Sequence, residues 1–220
     1  MDILYIHGMG GGADSRIPSI LKERLAVLAP ALRVTVRTYD FAPDIACGQI
    51  AAWVEELKPG LVIGESMGAI HALAVSGVPH LLVSPSLNAP IFFSILQWLV
   101  LIPGVTALCD RIWKPKEGER QPLHFDWRHL HAWKGFRRRA LALSPRCGGK
   151  DSFFAFFGTR DHYRRSGIVR VRTWRKYYGD TCRIYDGTHF MEEEYIDSLL
   201  IPKILEITGQ YHMSLSDRPI

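Results

Sequence analysis

Short apolar runs of strand length alternate along the chain with longer stretches in which apolar residues recur every three or four positions, the mark of a parallel α/β architecture. The runs fall at 2–6, 33–39, 60–64, 80–84, 152–157 and 181–185, predicting about six strands in a mostly parallel sheet. Segment 14–29 reads as a helix with Asp14 or Ser15 as N-cap, and 44–57 as a second that stops at Pro59-Gly60. Residues 66–76 are small and apolar on most sides, as a helix buried against a sheet must be. In 166–178, Ile168, Val171, Trp174 and Tyr178 share one helical face, and 191–207 predicts a closing helix. Helices between successive strands cover both faces of such a sheet, giving a three-layer α/β/α sandwich.

Residues 88–150 break this rhythm, because the gap far exceeds a typical crossover. They hold Trp98, Trp113, Trp127 and Trp133, four of the six tryptophans, and predict a helical cap inserted into one domain spanning 1–208. The tail 209–220 is expected to be flexible. Within the insertion, Ile91 to Ile102 is strongly apolar but is interrupted by Ser94 and Gln97 and ends at Pro103-Gly104. That is about a dozen residues where a membrane span needs about 20, so no integral membrane segment is expected.

Composition narrows the class further. With 220 residues, 47% hydrophobic and 22% charged, the chain can bury a sizeable core, which excludes disordered, collagen-like and disulfide-scaffold proteins. Cys47, Cys109, Cys147 and Cys182 lie far apart without a CxxC pair or a histidine at ligand spacing, so neither a disulfide framework nor a metal site is expected. Met1-Asp2 leads directly into the first strand with no basic and apolar leader, and a cytoplasmic location is expected. The formal charge of +5 is local: between Arg160 and Lys176, seven basic residues face only Asp161, leaving the remainder slightly negative. The charge therefore gives no reason to expect a nucleic-acid partner, and a solvated helix face accounts for it. The oligomeric state is not encoded in any of these patterns.

Chemistry concentrates at Gly64-Glu65-Ser66-Met67-Gly68, a GxSxG sequence between an apolar strand and a small-residue helix. A serine on so tight a turn projects its hydroxyl from the sheet edge, and small neighbours two residues either side let strand and helix approach. The hydroxyl becomes a nucleophile only if a base takes its proton. His189, in Asp186-Gly187-Thr188-His189-Phe190, follows the last strand, and Asp161, in Gly158-Thr159-Arg160-Asp161, follows the one before. The order Ser66, Asp161, His189 puts nucleophile, acid and base at the carboxyl ends of three strands. Asp186 is a rival acid, but Asp186-Gly187 is a turn dipeptide and suits capping better. An oxyanion would find donors in the backbone N–H groups of Met67, at the following helix start, and of Met9, in His7-Gly8-Met9-Gly10-Gly11-Gly12. His7 and Gly8 on that loop, with Phe92 and Trp98 in the cap, are the candidate substrate contacts.

The same glycines permit a competing reading. Gly8 to Ala13 satisfies GxGxxA after a strand, and Asp40 ends the second strand where a ribose-binding acid could stand. The interval from Gly8 to Asp40 is longer than that fingerprint uses, and the reading leaves Ser66, Asp161 and His189 without a role.

The chain resembles the α/β-hydrolase superfamily, specifically small bacterial esterases of the YqiA type and, more loosely, retinoblastoma-binding-protein-9-like serine hydrolases. Leu4-Tyr5-Ile6-His7-Gly8, Gly64-Glu65-Ser66-Met67-Gly68, Ser84-Pro85-Ser86, Gly158-Thr159-Arg160-Asp161 and Gly187-Thr188-His189-Phe190 carry the likeness, which spans nearly the whole chain outside 88–150. The resemblance implies the α/β-hydrolase fold, cleavage of a small carboxylic ester or thioester without a cofactor, and Ser66, Asp161 and His189 as nucleophile, acid and base. The longer insertion and the run of three glycines depart from those families. A hydrolase fold without turnover, serving as a binding module, is the alternative from a different class.

Overall fold

The computed structural model describes residues 1–114, 120–143 and 152–210. Its strands are β1 (Asp2–Ile6), β2 (Arg33–Val36), β3 (Leu61–Glu65), β4 (His80–Val83), β5 (Phe153–Gly158) and β6 (Cys182–Tyr185), every pair parallel, in the order β2-β1-β3-β4-β5-β6. The chain moves outward from β1 to β2, then returns to place β3 on the other side of β1. That reversal opens a crevice beyond the carboxyl ends of β1 and β3, where open parallel sheets hold their ligands. The loop from His7 and the turn at Ser66 both leave the sheet there.

Because side chains alternate along a strand, the sheet feeds two cores. Leu4, Ile6, Val62, Leu82, Ala155 and Phe157 face α2 (Pro43–Leu57), α3 (Gly68–Ala72) and, further along the chain, Trp174 of α8 (Val171–Tyr178). Ile3, Tyr5, Ile63, Leu81, Val83 and Phe156 face α1 (Arg16–Leu28) and the C-terminal helix. That helix runs as α9 (Glu193–Tyr195), a π turn over Ile196–Leu200 and α10 (Ile201–Ile207). Several predicted ends move. The strand 33–39 stops at Val36, and Tyr39 turns inward under the first loop. Segment 166–178 divides at Gly167, whose φ of 81° ends α7 (Tyr163–Ser166) before α8 begins. Within α8, Trp174 is buried while Arg172, Arg175 and Lys176 face solvent, so the basic segment is an outer helix face.

Between β4 and β5 the structure places α4 (Ala89–Leu99), α5 (Val105–Ile112) and α6 (Trp127–Leu143). Of these three helices, α4 and α5 stand over the crevice. Helix α6 packs on α4, α2 and α3, burying Leu130, Trp133, Phe136, Ala140 and Leu141 in the first core. No helix among the described residues is long and apolar enough to cross a membrane. Cys47, Cys109 and Cys182 are free thiols; Cys147 lies outside the described residues, as does 211–220, most of the expected flexible tail.

Candidate active site

Strand β3 delivers Ser66 to a turn that only glycine neighbours allow. A Cβ on Gly64 would sit 2.7 Å from Ala69 Cα and Ala72 Cβ, and one on Gly68 would sit 2.2 Å from the His7 carbonyl oxygen and 2.4 Å from that of Ile6. Ser66 itself has φ of 51°, a strained value for a non-glycine residue, held by its amide bonding to the Val83 carbonyl at 2.9 Å. The strain aims its hydroxyl out of the sheet.

Loops after β5 and β6 meet that hydroxyl. Gly158 lets them close, since a Cβ there would lie 2.2 Å from the Gly187 carbonyl oxygen. Asp161 and His189 are buried, with His189 Nδ1 2.8 Å from Asp161 Oδ2 and His189 Nε2 2.9 Å from Ser66 Oγ. Asp161 Oδ1 accepts the Tyr163 amide at 2.8 Å, and the Tyr163 ring stands edge-on to the imidazole with centroids 4.7 Å apart. With the carboxylate accepting from Nδ1–H, Nε2 carries the lone pair that faces the serine. Asp186 lies outside this chain, 75% exposed, accepting from the Thr159 hydroxyl at 2.7 Å and pairing with Arg160.

Several partners went unsingled in the sequence. Ser86 Oγ lies 3.1 Å from Ser66 Oγ, and its amide bonds to the Ser66 carbonyl at 2.9 Å; in sequence it stood out only within Ser84-Pro85-Ser86, with no role at the site. Glu65 is buried beside Ser66, accepting from Tyr5 Oη at 2.7 Å, and burial raises its carboxyl above the usual range. Gln121 is buried against the glycine loop: its Oε1 accepts the Gly10 amide at 3.0 Å, its Nε2 donates to the Asp40 carbonyl at 3.2 Å, and its amide donates to the Gly11 carbonyl at 2.7 Å. No local spacing announces a partner 111 residues away.

A cleft of about 590 Å³ opens over Ser66. Gly8, Met9, Met67 and Ser86 form part of its floor, Phe92, Phe93, Ile112, Trp113 and Leu123 its cap wall, and Phe190 part of its rim. The amides of Met9 and Met67 have no hydrogen-bond partner among the described residues. Gly8 approaches closely enough that a Cβ would be 3.0 Å from Ser66 Cβ. Two candidate substrate contacts do not reach the cleft. The His7 ring is fully buried, stacked on Tyr39 at 4.4 Å and donating from Nδ1 to the Gly8 carbonyl at 2.8 Å; burial pushes its pKa down to about 4. Trp98 is 62% exposed and outside the cleft lining. Six residues at about 100° each rotate it roughly 120° from Phe92, so α4 can turn only one of them inward.

Asp40 closes its own turn by accepting the Ala42 amide at 2.7 Å, and the strand order lacks the 3-2-1 arrangement of the classical dinucleotide fold.

In solved structures the same architecture recurs. Monoacylglycerol lipase of Paleococcus ferrophilus superposes with a TM-score of 0.62 at 15% identity, over 96% of this chain and 95% of that one. Est1E of Butyrivibrio proteoclasticus, solved with ferulic acid bound, gives 0.59 at 14% identity over 94% and 89%. The fold is that of the α/β hydrolases. The type II thioesterase BorB from the borrelidin biosynthetic cluster (TM-score 0.52, 18% identity, 94% of this chain and 90% of that one) shares it, as does epoxide hydrolase A of Mycobacterium thermoresistibile (0.53, 12%, 97% and 92%). No family model matches the chain, and no curated protein matches it in sequence. These likenesses carry the α/β-hydrolase fold and leave the YqiA-type resemblance where the motifs put it. Since the fold houses lipases, thioesterases and an epoxide hydrolase alike, the reaction has to be argued from the site.

Proposed function

We propose that the chain is a serine hydrolase that cleaves a carboxylic ester or thioester through an acyl-enzyme on Ser66. The observation that carries this reading is the continuous chain Ser66 Oγ, His189 Nε2, His189 Nδ1, Asp161 Oδ2, with links of 2.9 and 2.8 Å, on the floor of an apolar cleft. His189 takes the Ser66 proton at Nε2 as Oγ attacks the carbonyl carbon, and Asp161 stabilises the imidazolium without accepting its proton. The Met9 and Met67 amides hold the tetrahedral oxyanion, and the Ser86 hydroxyl donates to Ser66 Oγ between cycles. Collapse of the intermediate expels an alcohol or thiol protonated by His189. Water then attacks the acyl carbon, giving its proton to His189, and frees the acid and Ser66. No cofactor enters the cycle.

The insertion between β4 and β5 sets the substrate in this reading. Phe92, Phe93, Ile112, Trp113 and Leu123 supply an apolar wall, which suits an apolar acyl group. The fold shared with a monoacylglycerol lipase, with Est1E holding ferulic acid and with a type II thioesterase supports this class. A fluorophosphonate probe tests the proposal: it should label wild type and not Ser66→Ala, which should also lose p-nitrophenyl acetate turnover by a factor on the order of 10⁴ or more. Labelling that survives Ser66→Ala, or never occurs, would favour a binding module built on a hydrolase fold.

A further inference from the structure

We propose a second site, for a divalent transition-metal ion, where the segment leading into α6 meets α5. Its ligands are His124 Nε2, His129 Nδ1 and the Asp126 carboxylate, whose donor atoms lie within 4.8 Å of one another. Asp110 of α5 orients the first. His124 Nδ1 is 2.7 Å from Asp110 Oδ2, while Asp110 Oδ1 accepts the Phe125 amide at 2.9 Å. This carboxylate, pinned at both oxygens, holds the hydrogen on Nδ1 and leaves the Nε2 lone pair directed away, 3.7 Å from Asp126 Oδ2. A histidine ligand backed by a carboxylate is the usual outer support of a metal centre.

His129 supplies the second nitrogen. Its Nδ1 is inaccessible and has no hydrogen-bond partner among the described residues, although it lies 3.0 Å from Asp126 Oδ1. That oxygen already accepts the His129 amide at 2.8 Å, in the first turn of α6. A nitrogen and an oxygen so close, without the geometry of a hydrogen bond, have the spacing of adjacent ligands: metal–ligand bonds of about 2.1 Å set ligand edges of about 3.0 to 3.4 Å. The side chains of His124, Asp126 and His129 remain 54%, 33% and 30% exposed, so the cluster lies at the surface with His129 Nδ1 on its inner side. Two imidazoles with one carboxylate favour zinc, nickel, cobalt or copper over calcium or magnesium, which prefer all-oxygen cages. The ion would tie α5 to the start of α6. Between these attachments the Phe125 ring packs on Trp113 at 4.9 Å, and Trp113 and Leu123 face the cleft, so the site braces the cap wall. Its sequence signal is His124-x-Asp126-x-x-His129; Asp110 joins only through the fold.

Isothermal titration of Zn(II) into the untagged, chelator-treated full chain at neutral pH tests this. One zinc per chain is expected, with a rise in Tm, and Co(II) should give a visible absorption band. His124→Ala, half exposed and therefore tolerated by the fold, should weaken binding at least tenfold, and His124→Ala with His129→Ala should abolish binding, band and Tm rise. Asp110→Asn should weaken affinity by about 10- to 100-fold. Ser66→Ala should bind as wild type, so the result stands apart from the proposed hydrolysis. Absence of zinc and cobalt binding, binding retained by the double variant, wild-type affinity in Asp110→Asn, or preference for calcium or magnesium would each overturn the proposal.

Discussion

Gly68→Ala isolates the steric demand of the serine turn. Gly68 begins α3 at an ordinary φ, so alanine meets no conformational penalty, and the whole effect comes from its methyl. That methyl would lie 2.2 Å from the His7 carbonyl oxygen and 2.4 Å from the Ile6 carbonyl oxygen, where real Cβ contacts stay above 3.0 Å. Both obstacles are backbone at the end of a central strand, so α3 must withdraw by about 0.8 Å or more. Overpacking of this kind costs about 1–3 kcal/mol. Ser66, two residues earlier, moves with the helix and lengthens its 2.9 Å link to His189; a displacement of about 1 Å costs about 100-fold in rate. Gly48→Ala is the control, because nothing lies within 4 Å of its added Cβ and it sits inside α2. It should gain up to about 1 kcal/mol and leave the site unchanged. Urea denaturation and the second-order rate of fluorophosphonate labelling report the two effects. A Gly68→Ala protein with the wild-type midpoint and labelling rate would refute the steric argument.

Asp161→Asn should lower p-nitrophenyl acetate turnover by a factor on the order of 10⁴, while Asp186→Asn should leave it near wild type; equal losses would undo the assignment of the acid. Gln121→Ala leaves the Gly10 amide and the Asp40 carbonyl without their partner, so it should cost about 1–3 kcal/mol in urea unfolding and slow labelling through a looser Met9 loop. Stability should also fall with acid through His7, whose pKa burial depresses to about 4, and His71, which burial among Tyr39, Trp133 and Phe136 depresses to about 3. Below about pH 6.5 the unfolded chain takes up protons that the folded one refuses. Each histidine's contribution is therefore complete above that pH and loses about 2 kcal/mol between pH 7 and 5. His71→Phe should make the urea midpoint less steep over that range; an unchanged slope would show that His71 is not held neutral.

Local pattern determined a great deal of this protein. Short apolar runs located six strands, to within a residue or two at most ends, because a parallel sheet covered on both faces buries nearly every side chain of its central strands. GxSxG placed Ser66 on its turn because backbone crowding at positions 64 and 68 excludes any side chain, a constraint written in adjacent residues. Chain order brought forward Asp161 and His189, and the turn chemistry of Asp186-Gly187 set Asp186 aside.

Tertiary structure decided what depends on direction or on distant segments. The rotation of α4 turned Phe92 toward the cleft and Trp98 to solvent, and both are equally apolar in sequence. His7 went under its loop because Tyr39, 32 residues on, left the second strand early to stack on it. Helix α6 turned its apolar face into the core while packing on α4, because α2 and α3 present an apolar surface that only the folded sheet assembles. The same holds for Gln121 against the glycine loop and for Asp110 behind His124. Hydrogen bonds between segments 14 to 111 residues apart form when the backbone brings them within 3 Å, and no spacing along the chain encodes that approach.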